Sequence, residues 1–124
     1  MKSAFLTNPA MRRIVPVPKD RPWELVEDLR YQSAEMGGEI LIVPAGYRSD
    51  MASVPIIFRR MFPQDGPWSH AAILHDALCD FRLPGIDHKR AARIFLEAMT
   101  VLKVSAWKRN AMYRAVLWYG PKWP

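Results

Sequence analysis

Trp23-Glu24-Leu25-Val26-Glu27-Asp28-Leu29-Arg30-Tyr31-Gln32 is the stretch on which the fold turns, because its polarity alternates with a single break. Trp23, Leu25, Leu29 and Tyr31 hold odd positions, while Glu24, Asp28, Arg30 and Gln32 hold even ones. Successive side chains of a strand point to opposite faces, so this is the pattern of a half-buried β-strand. Val26 and Glu27 interrupt it, which predicts a bulge or irregularity there. Downstream, Glu35-Met36-Gly37-Gly38 supplies turn chemistry, and Glu39 to Val43 is a short β-rich run ended by Pro44-Ala45-Gly46. Together these predict a hairpin over residues 23–46.

Beyond the hairpin, Tyr47 to Pro55 reads as a polar loop carrying Arg48, Ser49, Asp50 and Ser53. Val54 precedes a proline and is expected to be extended. Ile56 to Phe62 reads as a short helical turn, and Pro63 to Pro67 as a second loop. Residues 67–120 then read as three helices. The first runs from about Trp68 to Phe81 and is closed by Leu83-Pro84-Gly85. Asp87 is a good N-cap for the second, whose Ala91, Ile94, Phe95, Ala98 and Leu102 keep helical spacing. Ser105 can cap the third, in which Trp107, Ala111, Ala115 and Tyr119 recur every fourth residue before Gly120-Pro121 stops it. Upstream, residues 1–22 are rich in proline without a helical period. Arg13 to Pro18 reads as an extended edge, since proline cannot donate to a ladder. The expected architecture is α+β: an N-terminal hairpin or small antiparallel sheet packed on three C-terminal helices, in one domain spanning residues 1–124.

A chain of 124 residues, half of them hydrophobic, has the size of one domain with a real core. Cys79 is the only cysteine, so no disulfide framework holds it, which fits manufacture in a reducing cytosol. Asn8, Pro9, Arg12 and Arg13 break up the apolar content of the N-terminus, against a secretory signal. The longest aliphatic run, Ile40 to Val43, is far short of a membrane span. A net charge of +6 invites a nucleic-acid reading. Its distribution weakens that reading, because Arg12-Arg13, Arg59-Arg60, Lys89-Arg90-Arg93 and Lys108-Arg109 are scattered without a zinc-finger or RNA-binding signature. An acidic protein partner explains the charge equally well.

The residues that suggest chemistry lie between Asp50 and Asp76. His75 shares a helix face with Ala71, Leu78 and Cys79, and Asp76 shares one with Ala72 and Asp80. Adjacent helical residues diverge by ~100°, so His75 and Asp76 must each be used by something beyond this pair. An imidazole beside a carboxylate suits a base-plus-ion site, with Asp50 or Asp76 as ion ligand. The plainer reading is a core histidine, with Asp76 paired to an arginine of the loop and Asp50 capping its own turn or meeting His75. Arg48, Asp50, Ser53, His75 and Asp76 then form a network joining hairpin to helices. Ser53 lacks the Gly-x-Ser-x-Gly elbow of a serine hydrolase. Cys79, one turn after His75, reads as core filler rather than as a thiolate nucleophile. His70 and His75 diverge and no pair has zinc spacing, so no cofactor is expected; a calcium-type site from Asp50, Asp76 and loop carbonyls is the metal alternative. Core packing explains most of the C-terminal aromatics, leaving a Trp123 tail to dock a partner.

Three ordered motifs add a resemblance. Val43-Pro44-Ala45-Gly46-Tyr47-Arg48-Ser49-Asp50-Met51-Ala52-Ser53-Val54-Pro55, then Ala71-Ala72-Ile73-Leu74-His75-Asp76-Ala77-Leu78-Cys79, then Ala91-Ala92-Arg93-Ile94-Phe95-Leu96-Glu97-Ala98-Met99, resemble the phage and prophage domain-of-unknown-function family 1353. The likeness spans about Leu25 to Trp123. It implies a phage or prophage origin and manufacture in a bacterial host cytoplasm, with no agreed activity. Cys79 stands where that family usually has tyrosine, and Ala92 where it usually has aspartate. The His-Asp helix is also similar, over that helix alone, to the one in secreted phospholipases of the A-two type. The glycine-rich calcium loop and the distant aspartate of those enzymes are missing here. The reading that follows is a non-enzymatic phage protein: a virion, tail or morphogenesis component, or a binder of a host protein. The alternatives are a small, calcium-dependent hydrolase using His75 as base, and an anti-defence or nucleic-acid-binding factor.

Overall fold

The computed structural model describes residues 2–16, 23–49 and 68–124. The expectations for Asp50, Ser53, the 56–62 turn and the 63–67 loop lie outside these residues. Among the described residues six strands precede three helices: β1 (Ala4–Phe5), β2 (Met11–Arg13), β3 (Trp23–Leu25), β4 (Leu29–Ser33), β5 (Glu39–Val43), β6 (Arg48–Ser49), α1 (Ser69–Phe81), α2 (His88–Val101) and α3 (Ala106–Tyr119). The protein is α+β, as its patterning predicts.

Strands β4 and β5 are the expected hairpin. Leu29, Tyr31 and Ser33 are buried against Leu41 and Val43, while Arg30, Ile40 and Ile42 face outward. Gly37 and Gly38 close the turn at φ of 68° and 92°, a region that a Cβ disfavours. The Ser33 carbonyl accepts from the N–H groups of Met36 and Gly38, fixing the register.

Two three-stranded antiparallel sheets result, ordered β1-β4-β5 and β2-β3-β6. They are two halves of one bent ribbon. Trp23 lies opposite Ser49 and Leu29 opposite Val43, so the pairing offset is unchanged across the break. Phe5 opposite Tyr31 and Met11 opposite Leu25 keep a single offset in the same way. The irregularity expected at Val26 and Glu27 is therefore a corner with no inserted residue, not a bulge. Asp28 braces it: Oδ1 accepts from the Ala45 N–H at 2.8 Å, and its carbonyl accepts from Thr7 Oγ1 at 2.9 Å. The N-terminal segment also differs from expectation. Its strands are Ala4–Phe5 and Met11–Arg13, which add a third strand to each half. Of the expected edge from Arg13 to Pro18, only Arg13 is in a strand, Ile14 to Pro16 are not, and residues 17 and 18 lie outside the described residues.

Helix α1 buries Ala71 to His75, Ala77 and Leu78. Asp87 caps α2 as predicted, its side chain accepting from Arg90 N–H at 2.8 Å. Ala91, Ala92, Ile94, Phe95, Ala98 and Met99 form the buried stripe of α2. Helix α3 corrects two expectations. Ser105 stands at its N-cap without a side-chain cap bond, and the helix buries Met112, Ala115 and Val116. Trp107 and Tyr119 are exposed while Ala111 packs on the core and Ala115 is buried, so only the middle of the every-fourth-residue series faces the core. Trp123, expected as an exposed tail, is 6% exposed and donates Nε1–H to the Ile86 carbonyl at 2.8 Å. The exposed tryptophans are Trp107 and Trp118. Leu25, Leu29, Tyr31, Leu41 and Val43 of the ribbon share one core with all three helices. Among the described residues no helix is long and apolar enough to cross a membrane.

Candidate functional site

His75 sits at the middle of α1, where the neighbours one turn away are Ala71 and Leu78, both buried. Small apolar neighbours draw this helix close to α2 and take the ring with it. The imidazole is 5% exposed and lies against Phe95 of α2, ring centroids 5.0 Å apart. Burial lowers its pKa to about 4, so at neutral pH the ring is uncharged. Cys79 Sγ lies 3.8 Å from both Nδ1 and Nε2, a long sulfur contact shared equally between the two nitrogens rather than a single short thiol–imidazole bond. Burial, and next the carboxylates of Asp76 and Asp80, push the Cys79 thiol up to about 12. Both shifts oppose transfer of a proton from this thiol to this ring near pH 7.

Asp76 faces the ribbon instead. Ser49 Oγ, on a residue buried in β6, donates to Asp76 Oδ2 at 3.0 Å. One turn along, Tyr47 Oη donates to Asp80 Oδ2 at 2.7 Å, and the Tyr47 ring meets Phe81 edge-on. Residues two apart in a strand and four apart in a helix are both spaced by ~6 Å, so Tyr47 and Ser49 match Asp80 and Asp76 as two rungs. Arg48, between them, points the other way: it is exposed and lies opposite Glu24, which pairs with Arg12 at 2.8 Å. Of the predicted network, His75, Asp76 and Arg48 are therefore placed on three different faces. Asp50 and Ser53 lie outside the described residues.

A second polar centre was not anticipated. Glu97 of α2 accepts from Tyr31 Oη at 2.7 Å and Ser33 Oγ at 2.8 Å with one oxygen, and from the Glu35 N–H at 2.9 Å with the other. Burial and the Glu97 carboxylate hold the Tyr31 phenol far above its ordinary range, so it stays a donor. Two signals pointed here: Ser33 continues the inward phase of Leu29 and Tyr31, and a buried hydroxyl needs a partner. Arg93 donates to Glu35 at 2.8 Å and extends the centre to the surface. These groups satisfy one another, which is the chemistry of a tether.

Among the described residues no three His, Cys, Asp or Glu side chains are gathered in a way that could hold a metal ion. Asp76, the described member of the suggested calcium pair, receives the Ser49 hydroxyl.

A family model described as "Protein of unknown function (DUF1353)" matches residues 23–116, and the chain belongs to that family. It is similar to the "Uncharacterized protein y4jT" of Sinorhizobium fredii (strain NBRC 101917 / NGR234), 36% identical over 83 residues. That alignment covers 65% of this chain and 24% of the relative, so the chain spans about a quarter of that protein. No solved structure matches. The matched region begins at the ribbon and ends in α3, and so contains both polar tethers.

Proposed function

Starting from a chain that belongs to the DUF1353 family, we propose a non-catalytic accessory module of phage or prophage origin, acting by contact with another phage or host protein. The observation that carries the non-catalytic part is the state of His75. A general base works best with a pKa near the operating pH and in reach of its substrate. This ring is buried on Phe95 with its basicity depressed to about 4. The hydroxyl–carboxylate rungs and the Glu97 centre are support for a rigid scaffold that presents a surface. The phage setting rests on the three-motif resemblance. The hydrolase alternative asks the same ring to take a proton from water, and its depressed pKa argues against that.

The test uses particles released by a lysogen that carries the gene. The polypeptide should be found in purified particles by mass spectrometry, or be recovered with one host protein. A folded His75→Leu variant should support the same particle yield as the parent chain. Absence from particles together with absence of any bound protein would overturn the accessory role. A His75→Leu variant that folds but fails in complementation would restore the catalytic reading.

A further inference from the structure

Helix α3 buries one side in the core and carries large exposed side chains on another. Met112, Ala115 and Val116 enter the core. At ~100° per residue, Trp107, Arg114 and Trp118 fall within about 40° of one another on a side turned away from that stripe. Trp107 is 57% and Trp118 68% exposed, and Arg114 is exposed between them. Eleven residues at ~1.5 Å put the two indoles about 16 Å apart along the axis and at one depth. Lys108 Nζ lies 5.8 Å from the centre of the Trp107 ring and 5.7 Å from that of the buried Trp68, tying the exposed indole to the core. Tyr119, also 68% exposed, follows at the end of the helix.

The charge on α3 and the residues flanking it has one sign; Arg114 lies on the face itself, while Lys108 sits over the buried Trp68 and Arg109 donates to the Val104 carbonyl. From Ala98 to Pro124 the chain carries Lys103, Lys108, Arg109, Arg114 and Lys122 and no Asp or Glu. Lys103 and Lys122 are exposed at the two ends of the helix. The complementary partner is anionic. A single convex helix offers indoles side by side on a ridge rather than a groove that would stack successive bases, which disfavours single-stranded nucleic acid. Indoles on one plane, flanked by cations, suit the headgroup level of a bilayer, where tryptophan and tyrosine concentrate and basic residues meet anionic lipid.

We infer that the Trp107–Arg114–Trp118 face of α3 docks the protein on the surface of an anionic lipid bilayer. The contact is peripheral and lies outside both polar tethers. It is independent of the accessory-module reading, which either outcome below leaves standing.

The experiment is co-sedimentation of the full chain with phosphatidylcholine vesicles made with and without phosphatidylglycerol, at low and high salt. Binding is expected only with phosphatidylglycerol and is expected to weaken with salt. Trp107→Ala with Trp118→Ala should lower the bound fraction about tenfold or more, given the apolar area removed. Arg114→Glu with Lys122→Glu changes only exposed positions and should abolish the phosphatidylglycerol dependence. Circular dichroism spectra of both variants should show the helix content of the parent, and the melt of the charge variant should match it. No binding to anionic vesicles at low salt overturns the proposal, as does equal binding by the parent and both variants. Association with single-stranded DNA or an acidic protein, in the absence of vesicle binding, likewise overturns it and assigns the face to that partner.

Discussion

The Tyr31 hydroxyl ends 2.7 Å from Glu97 Oε1, joining the middle of the ribbon to α2 across 66 residues of sequence. Ser33 reaches the same oxygen, so one carboxylate holds two buried donors that water cannot reach. Glu97→Ala removes the acceptor that the two donors share. A buried donor without a partner costs ~1–3 kcal/mol, so the variant should lose about 3 kcal/mol of stability. Urea unfolding of parent and variant measures it. Glu97→Gln, which keeps one acceptor oxygen, should lose less. Equal, near-zero losses in both variants would mean that the tether is replaced by water.

The ribbon was legible where side chains announce their environment and illegible where they do not. Leu29, Tyr31, Leu41 and Val43 keep strict alternation, Gly37-Gly38 marks the turn, and Asp87 marks a helix start. The β1 and β2 strands are two and three residues long and flank Asn8-Pro9, so pairing with β4 and β3 makes them strands, not their own propensity. Helix α3 misled because it carries large side chains on an exposed side as well as a buried one, and spacing cannot say which side the core takes. Glu97 was hidden by its charge. A carboxylate on a helix is read as solvated until the donors facing it, far away in sequence, are known. His75 was legible as a packed residue from Ala71 and Leu78; its distance from the hydroxyl rungs of Ser49 and Tyr47 required the structure.

The burial of His75 sets a pH dependence whose sign is defined. Above about pH 6.5 the ring is neutral in the folded and the unfolded chain, and it adds nothing to the slope. Below that, the unfolded chain takes up a proton that the buried ring refuses until about pH 4. Stability should therefore fall as pH falls from about 6.5 to about 4, by ~1.4 kcal/mol per unit and about 3 kcal/mol across the window. Guanidinium unfolding at intervals of pH reports this directly. His75→Leu should flatten that part of the curve. Parallel curves for parent and variant would show that the imidazole titrates normally and is open to water.

Cys79 makes a kinetic prediction. Only the thiolate reacts with disulfide reagents, and a pKa pushed up to about 12 leaves a far smaller thiolate fraction at pH 7 than an ordinary thiol near 8.5 has. Labelling by an aromatic disulfide should be about a thousandfold slower in the native protein than in denaturant. Asp76→Asn removes a carboxylate that raises this pKa, and should speed native labelling while melts track any loss of structure. Fast labelling of the native parent would contradict the burial and carboxylate effects together, and would reopen the thiolate–imidazole reading.

Trp123 and Trp118 lie five residues apart and should behave as opposites. Trp123 is buried, donates to the Ile86 carbonyl, and has the Arg82 guanidinium 5.3 Å from its ring centre. His88 fastens the same residue: its Nδ1 lies 2.7 Å from the Trp123 carbonyl oxygen and 3.2 Å from the Trp123 backbone nitrogen, and the His88 backbone N–H donates to that carbonyl at 3.2 Å. Removing a buried tryptophan typically costs ~3–5 kcal/mol, so Trp123→Ala should lower stability by about 3 kcal/mol or more. Trp118 is exposed, and Trp118→Ala should fall within ~0.5 kcal/mol of the parent. Thermal melts of the two single variants separate the cases. A destabilised Trp118→Ala would mean that α3 needs its outer indole for folding, and the face would then be part of the scaffold rather than a surface kept for a partner.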